Sequence, residues 1–468
     1  MKTRAAAIAG ATQAFDQGRL QSLLEQAVAY RTESQDAESA TQQYTYLETF
    51  ISPLLDSMGF RVTLHANPAA AHCPFLVAER REDDSAPTLL LYGHGDVVRG
   101  YEPQWREGLS PWRLVIEGER WYGRGTADNK GQHLINLLAL EHVIAARNGR
   151  LGFNVKLLLE MGEEAGSPGL REFCLNQRQS LAANLFIASD GPRLEARQPT
   201  LFLGARGGLN FQLRVALRES AHHSGNWGGL LRNPGVVLAH ALASLVDAKG
   251  RLQLDALRPP GIPERVRQAL ARLELPDNAA GEPRFDADWG EPGLSPAERV
   301  FAWNTLEVLA FRTGNPESPV GAIPGHAFAH CQIRFAPGCQ HEGFLPAIRE
   351  HLRAHGLAHV EVIQAPGEVM QASRLDPENP WVDWTLASLE RTLGHQATLL
   401  PNLGGSLPND VFAHGLELPT LWIPHSYPGC CQHAANEHLL APLARQGLQM
   451  MAGLFWDLGQ EEARPVLS

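Results

Sequence analysis

The sequence predicts an α/β protein, a sheet with helices on its faces, into which a smaller α+β unit is inserted. Three observations carry this prediction. Strands and helices alternate through the first 200 residues; after GARGGLNFQLRV (204–215) the pattern changes to a half-exposed alternation of apolar and polar residues; and past VDWTLASLERTLG (382–394) the first style returns. The expected division is 1–207 and 367–468 for the main domain and 208–366 for the insertion. With 468 residues, 44% hydrophobic and 19% charged, the chain has enough apolar material for such a core.

In chain order, TLLLYGHGDVV (88–98) is a β-rich run ending in glycine and charge. GQHLINLLALEHVIAARNG reads as a buried helix from Gly131 that stops at Gly149, a residue suited to the position after a helix end. NVKLLLEMGEE (154–164) and ANLFIASDGP (183–192) repeat one design, an apolar strand finishing in acidic residues and glycine. Ligands of open α/β sheets collect at the carboxyl ends of strands, so His94/Asp96, Glu163/Glu164 and Asp190 point to one crevice. In the insertion, a strand from about residue 208 precedes a helix near PGVVLAHALASLVD (234–247) and a Pro/Gly-rich loop region between Arg258 and Gly293. HAFAHCQIRFAP (326–337) supplies another alternating strand, FLPAIREHLRAHG (344–356) a helix and HVEVIQ (359–364) a further strand.

Composition excludes several functions. Forty Lys plus Arg against 51 Asp plus Glu give a net charge of −11, and the basic residues form no stripe, which argues against nucleic acid. Runs such as Leu157–Leu159 fall far short of the ~20 apolar residues that span a bilayer. Six cysteines without CxxC spacing fit a reducing compartment, and Lys2 and Arg4 precede too feeble an apolar stretch for a signal peptide, so a cytoplasmic protein is expected.

Chemistry begins at GHGD. His94 and Asp96 are two apart, so in an extended segment they share a face, as a metal-bound imidazole and the carboxylate orienting it would; taken alone, the pair reads more readily as a solvated loop His beside a turn Asp. In WYGRGTADNKG (121–131) the glycines permit tight turns and Asp128 stands just before a helix, as a ligand or as a cap. Glu163 and Glu164, on an extended segment, would diverge, so that one ligates while the other faces a bound water; a polar turn explains them too. Asp190 sits in a turn-forming SDGP, and CCQHAANEHL (430–439) offers His433, with Asn436 and Glu437 opening a helical pattern. Cys430 and Cys431 lack a second pair for a Cys/His zinc site and are read as packing. Together His94, Asp128, Glu164, Asp190 and His433 supply two imidazoles and three carboxylates, a set suited to Zn²⁺, with Mn²⁺ or Co²⁺ as replacements, and enough for two ions if one carboxylate bridges.

The ordered set YGHGD, YGRGTADNKG, EEAGSPG, SDGP, HHSG, GGSLP and HAANE closely resembles the dinuclear zinc exopeptidase and deacylase family of carnosinases, aminoacylases, acetylornithine deacetylases and succinyl-diaminopimelate desuccinylases, over nearly the whole chain. The resemblance implies a zinc-exopeptidase-like catalytic domain, with a mixed sheet flanked by helices, and an inserted α+β lid that also forms a homodimer. It implies that His94 and Asp190 hold one zinc, Glu164 and His433 the other, and that Asp128 bridges them. Glu163 would be the general base, Asp96 the carboxylate orienting His94, and the bond between Asp128 and Asn129 cis. His223 of HHSG, with His222 as the neighbouring candidate, would reach a partner's site to stabilise an oxyanion. Arg334, Gly404, Gly405 and Ser406 would bind the substrate carboxylate.

Two features depart from the family pattern. Asn129 stands where many relatives carry a second acid, and Pro401-Asn402-Leu403 precedes GGS where dipeptidases often carry Arg-Glu. The expected activity is hydrolysis of an amide bond in a small carboxylate-bearing peptide by a dipeptidase or metallopeptidase, to which the long insertion tips the choice. The alternatives are an N-acyl-amino-acid deacylase acting on acetylated, succinylated or longer acyl substrates, and, more remotely, a non-catalytic zinc-binding scaffold marked by loss of the base or a ligand. Neither loss occurs in this chain.

Overall fold

The computed structural model describes residues 3–275, 284–367, 369–460 and 464–465. Lys2 and residues 276–283 of the predicted loop region lie outside the described residues. The strands that build the two principal sheets are β1 (Arg61–His65), β2 (Phe75–Arg80), β3 (Thr88–His94), β4 (Asn154–Glu160), β5 (Leu185–Ala188), β6 (Thr200–Phe202), β7 (Gly207–Ala216), β8 (Thr305–Thr313), β9 (His326–Phe335), β10 (Glu361–Gln364), β11 (Thr398–Leu400) and β12 (Thr420–Trp422). One sheet has eight strands in the order β1-β2-β4-β3-β5-β12-β6-β11, the other four in the order β8-β9-β7-β10.

The large sheet is mixed: β3 runs parallel to both β4 and β5, whereas β1, β2 and β4 pair antiparallel in sequence. Its central strands read as unbroken apolar runs because helices cover both faces. Leu89 and Leu91 of β3 enter one core with the helices Arg4–Asp16, Lys130–Ala146 and Ala441–Leu458, while Leu90 and Tyr92 enter the other. The predicted helix from Gly131 is Lys130–Ala146, and Gly149 follows it with a left-handed φ of 86°.

The four-stranded sheet alternates as the sequence indicates. Leu209, Phe211, Leu213 and Val215 of β7 are buried against the helices Pro234–Leu245 and Phe344–Ala354, with Asn210 and Arg214 facing outward. Three sequence expectations need correction. Strand β8 was not anticipated: beyond Leu306 its residues are exposed and a bulge interrupts it between Val308 and Ala310, so no two-residue burial period marks it. The loop region after Arg258 contains a helix, Glu264–Leu270, whose Val266 and Leu270 pack with Ala297 and Phe301 into the second core of the large sheet. Asn436 and Glu437 open not a helix but a short strand, His438–Leu440, paired with Arg120–Tyr122; the helix begins at Ala441. No helix among the described residues is long and apolar enough to cross a membrane.

Candidate active site

Because β4, β3 and β5 are neighbours and parallel, their carboxyl ends present His94, the Glu163–Glu164 turn and Asp190 along one rim. Asp128 arrives from the loop before the helix Lys130–Ala146, joined to Asn129 by a cis peptide bond. That loop packs so closely that a Cβ on Gly131 would lie 2.0 Å from the Thr126 carbonyl oxygen, so only glycine fits there. His433, in a left-handed conformation at φ 59°, comes from the loop after Pro428–Cys430.

The side chains converge as two groups that share Asp128. His94 Nε2 is 3.1 Å from Asp128 Oδ1 and 3.5 Å from Asp190 Oδ2; His433 Nε2 is 3.2 Å from Asp128 Oδ2 and 3.0 Å from Glu164 Oε2. One carboxylate thus turns one oxygen to each group. Asp96 lies behind them, fully buried: Oδ1 is 3.3 Å from His94 Nδ1 and accepts from Glu163 N at 3.2 Å, while Oδ2 accepts from Glu164 N at 3.0 Å. The glutamates stand on a turn of 3₁₀ helix, Glu163–Ala165, rather than on the extended segment expected, and the turn is what separates their side chains.

This donor set fits a pair of divalent cations. Each group offers three ligand atoms lying within 4.8 Å of one another, all from imidazole or carboxylate, and Asp190 Oδ2 is buried without a hydrogen-bond donor among the described residues. The electrostatics agree. Burial opposes charge on His94, yet Asp128, Asp190 and Asp96 hold its imidazole well above the ordinary pKa, and Asp128 and Glu164 raise His433 to about 11. Burial and the neighbouring Asp128 push Glu164 up to about 7 and raise Asp190 as well. Burial also lifts Glu163 well above its ordinary range; His94 pulls the other way, and Asp190, Glu164 and Asp128 add to the rise. The cluster holds more carboxylate than imidazole and favours positive charge where the ligand atoms meet.

The substrate-side residues divide. Arg334, opposite Gly208 in the β7–β9 register, donates from Nη1 to Ser406 Oγ at 2.6 Å. Gly404 is fixed from behind, its carbonyl accepting from Arg206 Nε at 2.7 Å, and Leu403 packs at Gly191, the residue after Asp190. Arg334 and Gly404–Ser406 therefore adjoin the Asp190 side of the rim. His223 is not gathered there. It lies exposed on a two-stranded ribbon, paired with Ala322, and its Nδ1 accepts from its own Gly225 N; His222 is half-buried with its ring edge-on to Trp227.

Several contributors escaped sequence reasoning. Asn129 donates to Ser189 O at 2.8 Å, and its Oδ1 faces His94 N at 3.4 Å, tying two strand ends together. Gln132 links Ala127 O to the 424–425 segment through His425 N. Arg206 is a buried cation just before the insertion, and Glu437 receives four donors from the loop of Asp128. Only a charged residue beside a recognised motif could have flagged them, since their partners are mostly backbone groups far away in sequence. Cys430 is buried and Cys431 exposed, and all six cysteines are free.

A profile of peptidase family M20/M25/M40 matches residues 90–457. Among curated proteins, the chain is 33% identical to the beta-Ala-His dipeptidase of Homo sapiens over 407 residues, covering 83% of this chain and 78% of that one. It is 26% identical to the cysteinylglycine-S-conjugate dipeptidase of Corynebacterium striatum, covering 77% of each. Among solved structures, human carnosine dipeptidase 1 superposes with a TM-score of 0.80 at 20% identity, covering 97% of this chain and 99% of that one.

Proposed function

The chain belongs to peptidase family M20/M25/M40, and from that premise we propose that it is a metal-dependent dipeptidase that hydrolyses the amide bond of small peptides bearing a free carboxylate. The observation that carries the site assignment is the Asp128 carboxylate divided between the His94 and His433 groups, with Glu163 alongside. His94, Asp190 and Asp128 Oδ1 would hold one Zn²⁺ and Glu164, His433 and Asp128 Oδ2 a second, with Co²⁺ or Mn²⁺ as substitutes. Two such cations supply polarisation of the scissile carbonyl and acidification of water.

The chain's own residues do the rest. Glu163, whose enclosed carboxyl binds a proton more readily than an ordinary glutamate, takes one from the attacking water and delivers it to the leaving amine nitrogen. Asp96 fixes its backbone and the His94 ring at once. Arg334 and the Gly404–Ser406 loop hold the substrate carboxylate, for which a planar guanidinium and a hydroxyl are suited. His223 serves the site of a second copy of the chain, donating to the oxyanion. A homodimer through the inserted unit, residues 208–366, is supported by the exposed edge strand β8 with Val308, Leu309 and Phe311. Free cysteines throughout support residence in the cytoplasm.

The test is a parallel assay of unblocked dipeptides and N-acyl amino acids on Zn²⁺-loaded protein, with Glu163→Gln as control. Dipeptides are expected to be turned over and acylated amino acids poorly. The control is expected to lose about 10²–10⁴-fold in kcat while keeping its metal. Preference for acylated substrates makes the protein a deacylase, and full turnover by the control removes Glu163 from the mechanism.

A further inference from the structure

The segment that brings His433 also carries Glu437, a carboxylate only 1% exposed. Its carboxylate meets one of the five proposed ligands, Asp128, and meets it at the backbone N–H; a buried carboxylate would be expected to incur a large desolvation cost. Its partners explain its place. Oε2 accepts from Arg124 Nη1 at 2.8 Å and Gly125 N at 3.1 Å; Oε1 accepts from Ala127 N at 2.9 Å and Asp128 N at 3.1 Å. The Glu437 carbonyl takes Gly123 N at 3.0 Å, and the next residue, His438, pairs with Tyr122. Four donors of the turn leading to Asp128, together with Gly123 N, are thereby gathered onto one residue of the His433 segment. Arg124, itself fully buried, has Glu437 as its carboxylate partner and lies over the Trp105 ring.

We propose that Glu437 is a positioning residue that sets the two halves of the metal cradle against each other. Its carboxylate fixes the 124–128 turn, which presents the shared carboxylate of Asp128, to the segment that presents His433, so that the cradle is in register before a cation arrives. Only an acceptor with two oxygens and four lone-pair directions can receive all four donors; an amide in its place would aim an N–H₂ at donors. The inference rests on the reading of Asp128 and His433 as ligands, and the experiment separates the two.

Zn²⁺ affinity is measured by competition with a chromogenic chelator for the wild-type protein and for Glu437→Gln, Glu437→Asp and Asp128→Asn. Glu437→Asp keeps the charge beside Arg124 but is one methylene too short to reach both ends of the turn. Both Glu437 variants are expected to weaken the tighter-responding Zn²⁺ by about 10–100-fold, and to lower kcat at saturating Zn²⁺ with KM for a dipeptide little changed. Full rescue by Glu437→Asp would reduce the residue to a counter-charge for Arg124 and overturn the proposal. Unchanged affinity in both Glu437 variants alongside a loss in Asp128→Asn overturns it too, whereas unchanged affinity in Asp128→Asn overturns the ligand reading beneath it. Amide exchange on the metal-stripped wild-type protein decides the matter without any variant: Gly125, Ala127 and Asp128 N–H are expected to be protected already, and protection that develops only on adding Zn²⁺ overturns the proposal.

Discussion

The rim of the large sheet and the ribbon of the inserted unit both carry a histidine proposed to act on substrate chemistry, but they hold it in opposite ways. At the rim, His94 is fully buried with carboxylates at both ring nitrogens. On the ribbon, His223 is exposed and its Nδ1 accepts from Gly225 N of its own loop. A buried side chain with both nitrogens engaged has one orientation available, so its task is set within the chain; an exposed one acquires an orientation from whatever docks against it. The contrast separates the part of the site that one chain builds by itself from the part that, on the proposed reading, a second copy would complete.

The comparison breaks most severely if the rim works without cations. Stripping divalent ions with a chelator is expected to abolish turnover and lower Tm, and re-addition of Zn²⁺ to restore both; at about 1,000 times Kd a single bound ion stabilises by about 4 kcal/mol, which calorimetry can read. Next, His223→Ala is expected to cost about 10²–10³-fold in kcat with metal content intact. Mixing it with Glu163→Gln chains should recover part of the activity, because each supplies what the other lacks; no recovery would mean that His223 acts within its own chain or not at all.

A smaller effect is expected at the junction of the two regions. Arg334→Lys keeps the charge but loses the fork of donors, and should raise KM for dipeptides by about 10-fold, about 1.4 kcal/mol, with kcat nearly preserved. A comparable fall in kcat instead would move Arg334 from binding to chemistry. The smallest change concerns stability: Leu309→Lys on the exposed edge strand should shift unfolding by no more than about 0.5 kcal/mol while dissociating the dimer in light scattering. A dimer that survives it would place the interface elsewhere.

The rim was legible in the sequence for a physical reason. Its candidate site residues follow apolar runs buried on both faces, and such runs end where the sheet meets solvent, so His94, Glu163, Glu164 and Asp190 announce themselves by position. The inserted unit was legible where one face is buried, as in β7 with Leu209, Phe211 and Leu213, and illegible at β8, whose outward apolar residues erase the alternation. Helix Glu264–Leu270 was hidden by its seven-residue length amid proline and glycine, and it packs with the large sheet although it is encoded within the insertion. Asn129, Arg206 and Glu437 were unreadable because their partners are mostly backbone groups brought near by the fold, which no spacing encodes.

Asp96 shows what such crowding entails. With two oxygens it touches a ligand of one proposed ion, the backbone of a ligand of the other, and the backbone of the base. On the proposed reading, an exchange at this position is expected to perturb affinity for both ions and proton transfer together. On that reading one side chain couples three properties of the site, which a single substitution cannot separate.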